Sequence, residues 1–101
     1  MTITTPTRLF VPGKFVVAHS LVENTARLTP YLHRHLKGDW GDLEDEDKSE
    51  NDLAIKAGNL RIFSSYKLPK EDVELLDGEK KIWIITEADR PATTILLPSD
   101  Y

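Results

Sequence analysis

Three runs in the second half of the chain, LRIFSSYKL (60–68), KIWIITEA (81–88) and TTILLP (93–98), are dense in β-branched and aromatic residues. Such residues fit a pleated, half-buried surface, so each run reads as a strand. The short connection EADRPA between the last two leaves room only for an antiparallel hairpin. The first two are joined by PKEDVELLDGEK (69–80), where Asp77-Gly78 is a turn dipeptide. This link is expected to extend the hairpin or to form an exposed loop. With this half read as sheet, the helices are expected within the first 58 residues. The expected fold is α+β: two or three helices packed on one face of a small antiparallel sheet of three to four strands.

In the first half, RLFV (8–11) fits a short strand stopped by Pro12-Gly13. Residues 14–24 carry two patterns. Val16, Val17 and Val22 favour a strand, while Phe15, Ala18 and Val22 share a helical face beside Leu21. The position just after Pro12-Gly13 favours the helix. Thr29 then reads as an N-cap with Pro30 at the first helical position. Leu28, Tyr31, Leu32 and Leu36 form the apolar stripe, and Gly38 suits the residue just past the helix end. A second helix is expected from the N-cap Asp42, with acids in its first turns where the dipole favours them. Leu43, Leu53, Ala54 and Ala57 give it a sparse apolar face, and Gly58 ends it. Residues 1–7 read as a lead-in and 8–101 as a single domain.

The chain of 101 residues has no cysteine, which excludes disulfides and every Cys-based zinc site and suits a reducing, cytoplasmic setting. The N-terminal MTITTPTRLF lacks a secretory pattern, and no run approaches the roughly 18 apolar residues of a membrane span. Net charge is −4, but it is unevenly spread. Residues 39–52 hold eight acids and one base, a local charge of −7, while the remaining residues hold nine acids and twelve bases. A mildly basic body thus carries one acidic patch. With no basic stripe interleaved with aromatics, direct nucleic-acid binding is disfavoured. There is no phosphate-binding glycine loop, no nucleophile elbow, no HExxH and no calcium-loop order among the acids.

The chemistry-bearing residues concentrate in HRHLKGDWGDL (33–43). His35, Asp39 and Asp42 are residue types that ligate metal, and His35 is a candidate acid–base group. His33 and His35 point roughly 200° apart on a helix and cannot chelate together. The plainer reading makes the stretch a helix–loop–helix junction, with His35 capping carbonyls at one helix end and Asp42 capping the next helix. Trp40, between two glycines, either folds onto the helices or stands out as a binding anchor. Asp39, Asp42, Asp47 and Asn51 are further candidate binding residues. Glu87, Asp89 and Arg90 lie in the tight strand connection. There Asp89 could close the turn and Arg90 could pair with an acid, or the three could complete a catalytic set with His35.

HxxGDWGDL, DxxxND, RIxSxY and KxWxITEADRxxTTxLLPxxY together resemble a family of small bacterial proteins labelled plasmid-related, found on plasmids and integrated mobile elements. The matching positions are His35, Gly38 through Leu43, Asp47, Asn51-Asp52, Arg61-Ile62, Ser64, Tyr66, Trp83, Ile85 through Arg90, Thr93-Thr94 and Leu96-Leu97-Pro98. They cover roughly residues 32–101. The chain departs from the pattern in its longer link LPKEDVELLDGE and in its N-terminal third, where only Pro12-Gly13 matches. The resemblance implies a bacterial, cytoplasmic protein associated with mobile elements and carries no mechanism with it. Its positions are mostly polar, which points either to a functional surface or to a buried polar network fixing helices to sheet.

Three functions follow as expectations. The first is a non-enzymatic protein-binding module acting through residues 35–52 and the 86–91 turn, as a monomer or small homo-oligomer, without cofactor. The second is a metal-assisted hydrolase of nucleotides or nucleic acid, using His35, Asp39 and Asp42 with Glu87 or Asp89 as base. The third is an acidic decoy occupying a DNA-binding protein.

Overall fold

The computed structural model describes residues 9–10, 12–76 and 78–101. The expected lead-in, Arg8 and Val11 of the RLFV run, and Asp77 of the turn dipeptide lie outside the described residues. Leu9 and Phe10 form a bend, not a strand. The elements are β1 (Lys14–Val17), a 3₁₀ turn (His19–Asn24), α1 (Thr25–Leu36), α2 (Asp45–Ala57), β2 (Ile62–Lys67), α3 (Lys70–Leu75), β3 (Lys81–Thr86), β4 (Ala92–Leu96) and a closing 3₁₀ turn (Pro98–Asp100). The sheet order is β1-β4-β3-β2, so the fold is the expected α+β arrangement with three helices and four strands.

The β2–β3 and β3–β4 pairs are antiparallel, as the strand runs imply, but β1 pairs with β4 in parallel and the sheet is mixed. The helix expected over 14–24 is replaced by this strand and the 3₁₀ turn. β-branched Val16 and Val17 align with Thr94 and Ile95, and Lys14 and Ala18 donate their N–H groups to the carbonyls of Pro91 and Ile95. The proposed helical face fails because Phe15 and Val22 are both more than half exposed; only Leu21 is buried. The 69–80 link folds into α3, with Leu76 buried against the sheet and Asp72 held by Arg27 of α1 at 2.9 Å.

Strand alternation sorts the sheet into two faces. Ile62, Ser64 and Tyr66 of β2 lie in register with Thr86, Ile84 and Ile82 of β3, and Thr86 and Ile84 with Thr93 and Ile95 of β4. Leu21, Leu28, Tyr31 and Leu32 pack on this face to make the main core. α1 starts at Thr25, a turn before the expected Thr29, and Pro30 sits inside it. It ends as expected. Gly38 takes φ +86°, its N–H reaches the His35 carbonyl, and the Asp39 N–H reaches that of Arg34, a Schellman closure.

α2 is N-capped by Glu44 instead of the expected Asp42, and Gly58 closes it at φ +83°. Asp42 is used elsewhere because β2 is a sheet edge, and its outward N–H and C=O groups need partners. Asn51 supplies both for Phe63, donating from Nδ2 to the carbonyl at 2.7 Å and accepting the N–H on Oδ1 at 3.1 Å. Trp40 C=O accepts the Ser65 N–H, and the Ser65 C=O accepts the Asp42 N–H. The Asp42 carboxylate accepts the Lys67 N–H at 2.8 Å. Gly41 is bridged to Ser65 at φ +75°, and a Cβ there would sit 2.0 Å from the Ser65 carbonyl oxygen. Only glycine allows this approach.

Asn51→Ala should lower the unfolding free energy by about 1–3 kcal/mol, because it strands two backbone groups. Gly41→Ala should cost about 2 kcal/mol or more through strain at positive φ and steric clash. Urea denaturation followed by tryptophan fluorescence measures both.

Candidate functional site

His35 stands on the inner side of α1, fully buried. Its Nδ1 is 2.5 Å from Ser64 Oγ and its Nε2 2.9 Å from Thr86 Oγ1. Thr86 Oγ1 is 2.7 Å from Thr93 Oγ1, which donates to the Pro12 carbonyl at 2.6 Å. Proton bookkeeping fixes every direction in this chain. A carbonyl only accepts, so Thr93 gives its proton to Pro12. Thr86 must then donate to Thr93, and His35 Nε2–H to Thr86. Nδ1 is left unprotonated and accepts from Ser64. Burial, aided by the Arg90 charge, lowers the His35 pKa to about 3. The ring is therefore the neutral Nε2–H tautomer.

This geometry removes His35 from both roles proposed for it. It is not a cap on helix carbonyls, and it has no solvent path to act as acid, base or ligand. Asp39 is claimed by Arg34, whose Nε donates at 2.6 Å, and by the Gly41 N–H at 3.1 Å. The Arg34 hydrogen bond holds its carboxyl below the usual carboxylate range. Arg34 also lies 4.6 Å over the Tyr66 ring, and the Tyr66 hydroxyl donates to the Asp39 carbonyl at 2.7 Å. Asp42 seals the β2 edge. Among the described residues, no group of three or more histidine and acidic side chains is arranged to hold a metal ion.

Trp40 is only 4% exposed, so it is not an accessible anchor. It packs with Ala54 and Ile62, meets the His35 ring edge-on at 5.9 Å, and donates from Nε1 to Asp52 at 3.2 Å. Phe10 stacks beside it. Glu87 and Asp89 are exposed in the β3–β4 turn. Arg90 is paired with no acid among the described residues. Its guanidinium donates to the carbonyls of Leu60 and Ala54, while the Asp89 N–H reaches the Asn59 carbonyl. The turn is thus a clasp on the end of α2. Asp89 and Arg90 both hold φ near +60°, a conformation costly for residues with a Cβ and retained because these contacts enforce it.

An open concavity lies on the other face of the sheet. A groove of about 370 Å³ runs between α2 and the outer side of β2–β3, lined by Leu43, Asp47, Glu50, Arg61, Phe63, Trp83 and Tyr101 together with Asn51. Phe63, Trp83 and Tyr101 form an edge-to-face row, with ring centroids 5.2 and 5.7 Å apart. Asp47 and Glu50 are exposed on the α2 side. The Arg61 guanidinium lies 5.4 Å from the Tyr101 ring centre. Of the expected binding residues, Asp47 and Asn51 line this groove, whereas Trp40, Asp39 and Asp42 do not. Glu50, Phe63, Trp83 and Tyr101 were not foreseen. For Phe63 and Trp83 the available signal was a large aromatic at a strand position opposite in phase to the aliphatic face; Glu50 and Tyr101 had none.

Comparison of the chain with family models, curated proteins and solved structures gives no match. No helix among the described residues is long and apolar enough to cross a membrane.

The His35 pKa gives a signed expectation. The folded value lies below that of the unfolded histidine, so the unfolded state binds the extra proton. Stability from this group is full above about pH 6.5 and falls as pH drops toward 3, at about 1.4 kcal/mol per pH unit midway. His35→Gln keeps a donor and an acceptor without titrating. Its stability between pH 6 and 4 should fall less steeply than the wild type's by about one proton's worth of slope. Equal slopes in parallel urea titrations would contradict a buried neutral histidine.

Proposed function

We propose that the protein is a non-enzymatic protein-binding module, and that it docks a basic segment of its partner in the groove between α2 and the outer face of the sheet. The observation carrying this reading is the juxtaposition of an aromatic row with the Asp47 and Glu50 carboxylates. A ring face attracts a cation through its quadrupole, and the effect strengthens where the cation is partly desolvated. Carboxylates beside it add charge-assisted hydrogen bonds. Arg61 over Tyr101 is an internal instance of the same contact.

The acidic stretch supports the choice of partner. The first turn of α2 presents Asp45, Glu46 and Asp47, a field that speeds encounter with a cationic partner and weakens with salt. A basic DNA-binding protein belongs to this class of partner, so the decoy reading is one case of it. A bacterial, cytoplasmic setting on a mobile element, as the plasmid-related resemblance implies, is part of the same proposal. The hydrolase reading has lost its central residues to structural bonds at His35, Asp39 and Asp42.

The test is a titration of the protein with a panel of lysine- and arginine-rich peptides, followed by Trp83 fluorescence and calorimetry. Binding should occur at low ionic strength. Trp83→Ala, or Asp47→Lys with Glu50→Lys, should weaken it about tenfold or more. Trp40→Phe should alter stability and leave affinity unchanged. Peptide affinity indifferent to the groove variants would reject the site.

A further inference from the structure

A second concavity, of about 510 Å³, lies at the far end of the β2–β3 pair. It has an apolar floor of Leu68 and Val73, and Lys67, Lys70, Lys80 and Lys81 surround it. Lys67 and Lys81 are direct cross-strand partners, and like charges placed opposite each other destabilise a sheet. Among the described residues, the ion pairs are Arg27–Asp72 and Arg34–Asp39, so none of these four lysines is engaged in one, and the nearby Asp42 carboxylate is taken by the Lys67 backbone N–H. An anionic, partly apolar ligand would satisfy both the charge of the lysine cluster and its floor.

The chain itself carries a surface of that description. Glu46, Ser49, Glu50 and Leu53 are spaced i, i+3, i+4 and i+7 on α2 and share one helical face. All four are exposed, and Leu53 is 59% exposed, an apolar residue flanked by acids. We infer that the lysine-rimmed groove is a docking site for the acidic face of α2 from a second copy of this chain. Leu53 seats on Leu68 and Val73 while Glu46 and Glu50 meet the lysines. The two surfaces differ, so the contact is head-to-tail and propagates from copy to copy. Glu50 is shared with the aromatic groove, so this association and partner binding compete for α2. The inference stands independently of the peptide reading, because it rests on the lysine cluster.

The test is sedimentation velocity on the full chain over a range of concentrations, at low salt and at about 0.5 M salt, where screening is strong. The wild type should show a mass that keeps rising with concentration at low salt and collapses to monomer at high salt. Lys70→Glu with Lys81→Glu, and separately Glu46→Gln with Glu50→Gln, should each weaken association at least about tenfold. Mixed together, the two variants should form a one-to-one dimer and stop there, since only one intact groove and one intact helix face remain. Circular dichroism confirms that each variant is folded, and the salt dependence of the wild type tests the idea without any substitution. A wild type that stays monomeric at low salt overturns it. So does a mixture that stays monomeric, or binding of a single-stranded oligonucleotide by the same lysines in place of self-association.

Discussion

The outward edge of β2 must be satisfied, and the rest of the molecule is arranged around that need. Strand edges expose unpaired amides and carbonyls that otherwise template association. Here the closing groups come from a non-strand segment: the Trp40 carbonyl, the Asp42 amide and carboxylate, and the Asn51 carboxamide. Placing them requires α1 to stop at Gly38, Gly41 to touch β2, and α2 to run along the strand. The Arg90 clasp holds the far end of α2 in that position. The junction is therefore the device that binds helices to sheet.

Beneath it, the hydrogen-bond chain from Ser64 through His35, Thr86 and Thr93 to Pro12 crosses the inner face of three strands. Every member is satisfied, and no buried side-chain polar atom among the described residues lacks a partner. Such a chain specifies one packing more sharply than an apolar core would, since any slip in register orphans several groups at once. With the polar positions of the junction so committed, the outer groove is left as the surface with unspent aromatic and carboxylate chemistry.

Much of the fold was legible in the sequence because local chemistry and global need agreed. The β2, β3 and β4 runs, the Gly38 and Gly58 helix ends, and the α+β class rest on periodicity and turn residues. Residues 14–24 misled because β1 exists through pairing with β4, some 80 residues away, a partner no local pattern reveals. Asp42 misled because an aspartate before an acidic helix reads as a cap, whereas its carboxylate goes to a strand amide. The polar character of the GDWGD and ITEADR segments did suggest a buried network, and much of that character is structural. Neither groove was readable, since each depends on cross-strand register. Phe63 and Trp83 become neighbours, and Lys67 faces Lys81, only once β2 and β3 are aligned.

The sheet is finished on one side by side chains, which has a kinetic consequence. A foreign strand approaching β2 would have to strip away the Asn51 carboxamide, the Asp42 carboxylate and the Trp40–Ser65 contact before making its first ladder bond. The barrier to templated growth there is set by detachment of the junction, whatever the depth of the aggregated state. Growth of the sheet past β2 is thus gated by undoing the junction, a step that precedes any strand pairing.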